Sequence, residues 1–193
     1  MESLKPLIFC YYTFGAYERE AERLKASVNL WGLEAKYLPI NNLASWSHAV
    51  MAKPKLILET LESTKRDILY VDADAEFMKV PDWKQLEHID VGWHEFRRNK
   101  HADIELLTGT MYLRYSPDVL GFVRDWSVAT LDYAWSSTPE QASLKATWAK
   151  WSDRLIKRAL GPEWTYIFDD SAEIYPGVAP TIVHHQASRR LRK

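Results

Sequence analysis

The segment Ile68-Leu69-Tyr70-Val71-Asp72-Ala73-Asp74 decides how this chain is read. Its apolar half is a near-continuous run of the kind found in strands buried on both faces of a parallel sheet. The run ends on two carboxylates spaced i and i+2, which in extended backbone point the same way. Both acids then converge beyond the carboxyl end of a buried strand. Adjacent carboxylates repel each other unless a cation lies between them, and hard oxygen donors suit Mg²⁺ or Mn²⁺. Such an ion could bridge diphosphate oxygens and stabilise a departing phosphate. The plainer alternative leaves Asp72 at the strand end and Asp74 solvated in a turn.

Working outward, Leu7-Ile8-Phe9-Cys10-Tyr11-Tyr12 reads as a second buried strand, ending at Thr13-Phe14-Gly15. Ala21, Leu24, Val28 and Trp31 recur at helical spacing before Gly32. Residues 35–40 then read as a strand, and Pro54 suits the first turn of a helix carrying Leu56, Ile57, Leu58 and Leu61. Further strands are expected at Val91–His94 and Thr110–Tyr115. Helices are expected to start at Ser116-Pro117-Asp118 and at Thr138-Pro139-Glu140-Gln141, a T-x-x-Q capping box. The second of these places Leu144, Trp148, Trp151 and Leu155 on one face and stops at Gly161-Pro162. Strands alternating with helices predict one α/β domain, residues 1–193, around a mainly parallel sheet. Such sheets bind ligands beyond the carboxyl ends of their strands.

Composition narrows the function. The 193 residues carry 25 basic and 26 acidic side chains, a net charge of −1, which argues against broad coating of nucleic acid. A single cysteine, Cys10, excludes an intrachain disulfide and a multi-cysteine zinc ribbon. No signal peptide or membrane span is expected, and a cytoplasmic setting is the default. There are only 7 glycines, and neither G-x-G-x-x-G nor G-x-x-x-x-G-K-[ST] occurs. Any phosphate must be held without a glycine-rich cradle.

Other residues offer chemistry, each with a plainer alternative. Of His184-His185, on a strand-like run, only one can face the acids. Lys53 is either a solvated lysine before a helix or a cation aimed at phosphate or a base edge. Capping explains Glu140 and Gln141 locally. Gly109 would let a ligand approach the backbone, or mark a bulge. Trp126, Trp148 and Trp151 read as core, whereas Trp46 and Trp93, outside the helical stripes, are better placed to stack on a sugar or base. The segment from Glu95 to Leu107, with Arg97, Arg98, Lys100 and His101, and the tail 188–193 form a candidate surface for an anionic acceptor, or else a solvated loop and a frayed end.

Taken in order, several segments resemble the nucleotide-diphospho-sugar transferases, glycosyltransferases of the GT-A (Rossmann-like) fold. They are Tyr12-Thr13 with Tyr17; Ala21-x-x-Leu24-x-x-Ser27; Trp46 with Lys53-Pro54-Lys55-Leu56-Ile57; the Asp72-Ala73-Asp74 run; Thr108-Gly109-Thr110; Trp126; Glu140-Gln141; and Ile182 to Arg189. The resemblance implies that Tyr12 and Thr13 hold the base and ribose of a UDP- or GDP-sugar, UDP being favoured, and that Lys53 contacts nucleotide or phosphate. It implies that Asp72 faces ribose and metal, and that Asp74 and His184 ligate Mn²⁺ or Mg²⁺. His184 is preferred to His185 because the family pattern leaves one residue before Gln-Ala-Ser. Thr108, Gly109 and Thr110 would line the sugar pocket. Tyr17, Ala73, Ser188 and Arg189 would complete the nucleotide-sugar site. Glu140-Gln141 stands where the family often has Asp-Gln, so a catalytic part for this pair departs from the pattern.

The expected activity is metal-dependent transfer of a hexosyl or pentosyl group from a nucleotide sugar to an acceptor hydroxyl. The acceptor could be a saccharide, a protein or a hydroxymethylated DNA base. Glu140 or His94 could serve as base in an inverting reaction. Two other classes stay open: a metal-dependent phosphohydrolase or nuclease, and a non-catalytic nucleotide-sugar-binding module.

Overall fold

The computed structural model describes residues 5–15, 17–41 and 45–191. Strands β1 (Leu7–Thr13) and β3 (Ile68–Val71) are buried along their whole length and lie side by side in parallel, Leu7 opposite Ile68. Strand β2 (Ala35–Ile40) flanks β1, also in parallel. Helix α1 (Glu18–Leu30) joins β1 to β2 and buries the stripe Ala21, Leu24 and Val28. Gly32, at φ +60°, takes the left-handed conformation that lets the chain leave that helix. Helices α2 (Trp46–Met51) and α3 (Lys53–Thr64) connect β2 to β3, with Pro54 in the first turn of α3.

Beyond β3 the chain forms β4 (Ala75–Phe77), β5 (Val91–Phe96) and β6 (Glu105–Leu113). Next come α4 (Pro117–Asp132), α5 (Pro139–Trp151), β7 (Lys157–Leu160), β8 (Tyr166–Ile167), α6 (Asp170–Ile174), β9 (Ile182–His184) and α7 (Ala187–Leu191). The central sheet has the order β2-β1-β3-β6-β5-β7. It is α/β and mostly parallel, as expected. The exception is β6, antiparallel to both β3 and β5. A short loop suffices to join β5 to β6, because antiparallel neighbours need no crossover. A second sheet, β4-β9-β8, carries His184 at the end of β9.

One face of the large sheet packs on α3, α4 and α5 through Ile57, Leu61, Phe122, Trp126 and Leu144. The other packs on α1 and the small sheet through Leu24, Val28, Phe77 and Ile182. Removing a fully buried ring such as Phe122 would cost about 3–5 kcal/mol. Among the described residues no helix is long and apolar enough to cross a membrane.

Four sequence expectations change. Trp93 is not a stacking platform but fully buried, 6.3 Å from Phe122 and edge-on to Trp148 at 5.2 Å. Strand alternation sends it to the helical face, while a Cβ on neighbouring Gly92 would meet Leu160. Helix α5 ends at Trp151, so Leu155 reaches the core from the following turn, and residues 157–160 form edge strand β7. Strand β6 begins at Glu105, which places Leu107, Thr108 and Gly109 inside the sheet and shortens the basic loop to 97–104. Within that loop Arg98 pairs with Asp170.

Candidate functional site

The acids at the end of β3 are brought together by a turn. β3 stops at Val71, and the Asp72 carbonyl accepts from the Ala75 N–H at 3.0 Å, so Asp72-Ala73-Asp74 bends back into β4 and is not extended. Its start is fixed to β6, where the Gly109 carbonyl accepts from the Asp72 N–H at 2.8 Å. Strand β9 pairs with β4 so that His184 lies opposite Ala75, and this cross-strand register delivers the imidazole to the acids. Single ligand atoms of Asp72, Asp74 and His184 all fall within 4.8 Å of one another. Among the described residues this is the one group of three or more such side chains able to hold a metal ion.

Each member is held from behind. His184 is buried; Thr110 Oγ1 lies 2.9 Å from its Nε2, so Nδ1 is the nitrogen that faces Asp74, at 3.3 Å from Oδ1. Such a second partner fixes the tautomer and aim of a ligating imidazole. Asp74 Oδ2 accepts from the Ala187 N–H at 2.8 Å. Burial pushes the Asp74 carboxyl up, but the hydrogen bond and charge of His184 and the Ala187 N–H outweigh it and hold the group below its usual value. Asp74 is therefore no solvated turn residue. Asp72 is more open and accepts from Tyr70 OH at 2.6 Å. Burial and the Asp72 charge push the Tyr70 phenol well up, which keeps it a donor. His185 turns to the other side and meets Glu76 at 2.7 Å.

Lys53 differs most from its plain reading. Instead of being solvated it is only 2% exposed, with Nζ 3.0 Å from Asp72 Oδ1 and 3.2 Å from both Oγ1 and the carbonyl of Thr108. The Thr108 hydroxyl donates on to Glu140 Oε1 at 3.4 Å. Glu140 is buried, and among the described residues its Oε2 has no hydrogen-bond partner. The capping box does not form. The Thr138 side chain makes no cap bond, and its N–H donates to Ser136 Oγ. What seats the start of α5 is Trp126, whose buried indole N–H lies 2.9 Å from the Glu140 carbonyl and 3.1 Å from Ser143 Oγ.

These groups border one cavity of about 280 Å³ at the carboxyl ends of β1 and β3. Of the residues singled out from sequence, Tyr12, Thr13, Tyr17, Trp46 and Lys53 line it. So do Asp72, Ala73, Asp74, Thr108, Gly109, Glu140, Gln141, His184 and Ser188. Gly109 is both bulged and close-packed: it lies where the β5–β6 register shifts, between the pairs Trp93–Met111 and His94–Leu107, and a Cβ there would come 3.1 Å from His184.

Thr110 stays behind His184, outside the lining. Arg189 is also outside it, its guanidinium spanning Asp169 and Asp170 at 2.7 and 2.8 Å. His94 is excluded as a base for this cavity. It is buried, within hydrogen-bond distance of the Leu160 carbonyl at 2.9 Å, and burial lowers its pKa against the pull of that carbonyl. Arg192 and Lys193 of the basic tail lie outside the described residues.

Sequence reasoning missed Tyr11, Tyr70, Thr165 and Ile167 as lining residues. The tyrosines read as strand core. Strand β8, at two residues, is too short to show a period.

No protein-family profile and no curated protein matches the chain. In fold it is similar to the crystal structure of a glycosyltransferase involved in the glycosylation of the major capsid of PBCV-1. The TM-score is 0.68 at 15% identity, over 96% of this chain and 97% of that one. At that identity the likeness is one of fold.

Proposed function

We propose that the chain is a glycosyltransferase that takes a sugar from a nucleoside-diphosphate donor, UDP-linked by preference, and passes it to an acceptor hydroxyl. The observation that carries this reading is the convergence of Asp72, Asp74 and His184 at one end of the cavity, with a buried carboxylate, Glu140, also in its wall. The shared fold with a capsid-glycosylating enzyme supports the same class.

Two carboxylates and one imidazole, each held by a second partner, fit a divalent cation such as Mn²⁺ or Mg²⁺. Bound there, the ion would neutralise charge growing on the departing nucleoside diphosphate. The protein's own groups do the rest. Tyr12 and Thr13, at the carboxyl end of β1, border the cavity where base and ribose would lie. Glu140 Oε2 would accept from a sugar or acceptor hydroxyl, giving a buried unpaired oxygen the partner it lacks. Thr108 holds the other oxygen of that carboxylate, so Glu140 meets the hydroxyl in one orientation. Of the two candidate bases, Glu140 is the one in the cavity wall and would serve an inverting reaction.

The test is a transfer assay with UDP- and GDP-sugars against saccharide, protein and hydroxymethylated-DNA acceptors, reading released nucleoside diphosphate and labelled acceptor. Transfer that needs Mn²⁺ or Mg²⁺ and fails in Asp74→Asn is the expected result. Released phosphate or cut nucleic acid, with no sugar transferred, would instead establish a hydrolase.

A further inference from the structure

Lys53 has no hand left for a phosphate. An ammonium has three N–H donors, and three acceptors stand around Nζ: Asp72 Oδ1 at 3.0 Å, Thr108 Oγ1 at 3.2 Å and the Thr108 carbonyl at 3.2 Å. The group is 2% exposed and also lies 5.1 Å from the centroid of the Tyr70 ring. To reach a diphosphate it would have to break one of these contacts inside the protein. Its charge nevertheless sits on one of the metal-site carboxylates. We infer that Lys53 is a resident competitor of the divalent ion: it half-neutralises Asp72, keeps metal affinity low in the empty enzyme, and makes tight metal binding wait for the donor's diphosphate.

The charges carry the argument, which rests on the glycosyltransferase reading for the identity of the diphosphate. Asp72 and Asp74 supply two negative charges and Lys53 returns one, so these three groups together present a net charge of about −1 to a dication. A bound diphosphate would add negative charge to the site while the three N–H groups of Lys53 stay engaged by Asp72 and Thr108. Metal and donor then bind synergistically, each raising the other's affinity by the same factor. Lys53 is in this account a positioning and tuning residue. It acts through Asp72, its N–H groups already taken by Asp72 and Thr108. Asp74 makes its close contacts with His184 and the Ala187 N–H and feels the Lys53 charge without touching it.

The experiment titrates Mn²⁺ into the full chain, following unbound Mn²⁺ by electron paramagnetic resonance, with and without UDP or GDP. Removing a unit charge beside a dication strengthens binding by about tenfold even under strong screening. Lys53→Met should therefore bind Mn²⁺ alone about tenfold more tightly than the wild type and gain less from the nucleotide. A merely structural lysine would move affinity the other way, since damage to the site weakens it. Should Lys53→Met fail to fold, Lys53→Gln decides: it removes the same charge while keeping a donor for the Thr108 carbonyl, and should also tighten Mn²⁺ about tenfold. The inference is overturned if folded Lys53→Met binds Mn²⁺ no tighter than the wild type. It is equally overturned if folded Lys53→Gln binds Mn²⁺ no tighter than the wild type, or if no form binds Mn²⁺. Failure of the broader reading looks different: Lys53→Met still tightens Mn²⁺, but no nucleoside diphosphate changes Mn²⁺ affinity in any form.

Discussion

Replacing Gly109 by alanine separates the metal site from the stability of the fold. A Cβ at 109 would stand 3.1 Å from His184 Cε1, 3.3 Å from its Nδ1 and 3.4 Å from Asp72 Oδ2. The first two distances are too short for comfort, so the imidazole must retreat by a few tenths of an ångström. Its Nε2 is engaged by Thr110 and its ring is buried, which leaves it little room to do so without altering the Nδ1 to Asp74 geometry. Metal–ligand distances tolerate only about ±0.2 Å. Disturbances of this kind around a metal-ligating histidine typically cost about 10–100-fold in affinity.

The fold should feel far less. Gly109 does not occupy the left-handed region. Loss of glycine's freedom in the unfolded chain returns about 0.4–1 kcal/mol against the crowding. The melting temperature of Gly109→Ala without metal should thus stay within about 4 °C of the wild type. Mn²⁺ titration by calorimetry should show the tenfold or greater loss. Wild-type Mn²⁺ affinity in a normally folded Gly109→Ala protein would refute the placement of His184 Nδ1 as a ligand.

Three further outcomes are expected. Glu140→Gln keeps size and burial but lowers transfer by about 100-fold or more while leaving Mn²⁺ affinity unchanged; transfer rates and calorimetry check both halves. Trp126→Phe removes the indole N–H that seats the start of α5. It should cost about 1–3 kcal/mol, a fall in melting temperature of roughly 2–10 °C, with transfer falling as Glu140 loses its seat. Asp74 is held below its ordinary value in the folded protein, so its stabilisation is complete above pH of about 4 and is lost as pH falls through the lowered folded value. Urea unfolding across that acid range, without metal, should show a shallower decline for Asp74→Asn than for the wild type.

How much of this was legible in the sequence depended on how local the cause was. The β3 run and the caps at Ser116 and Gly32 are written in adjacent residues, and these elements formed where expected. Strand β7 was not legible, because its central residues Arg158 and Ala159 are exposed and hide any apolar period. Trp93 misled because it interrupts no helical stripe, although its alternation with Val91 on β5 was the available cue.

At the site, the acid pair could be read and its turn could not. Lys53 looked solvated, since its partners Asp72 and Thr108 are brought up only by β3 and β6. Glu140 was explained locally as a capping residue, and only the packing of α5 on Trp126 and Thr108 shows it buried with an oxygen to spare. Arg189 erred the other way. Its charge suggested phosphate, but Asp169 and Asp170 already hold it.

The most direct measurement is a thermal-shift screen of UDP-, GDP-, TDP- and CMP-sugars against the full chain, with and without Mn²⁺. At least one nucleoside-diphosphate sugar should stabilise the protein in Mn²⁺, and the shift should vanish in Asp74→Asn. If no nucleotide sugar raises the melting temperature with either metal condition, the cavity beside Asp72, Asp74 and His184 is not a donor site and the account is wrong.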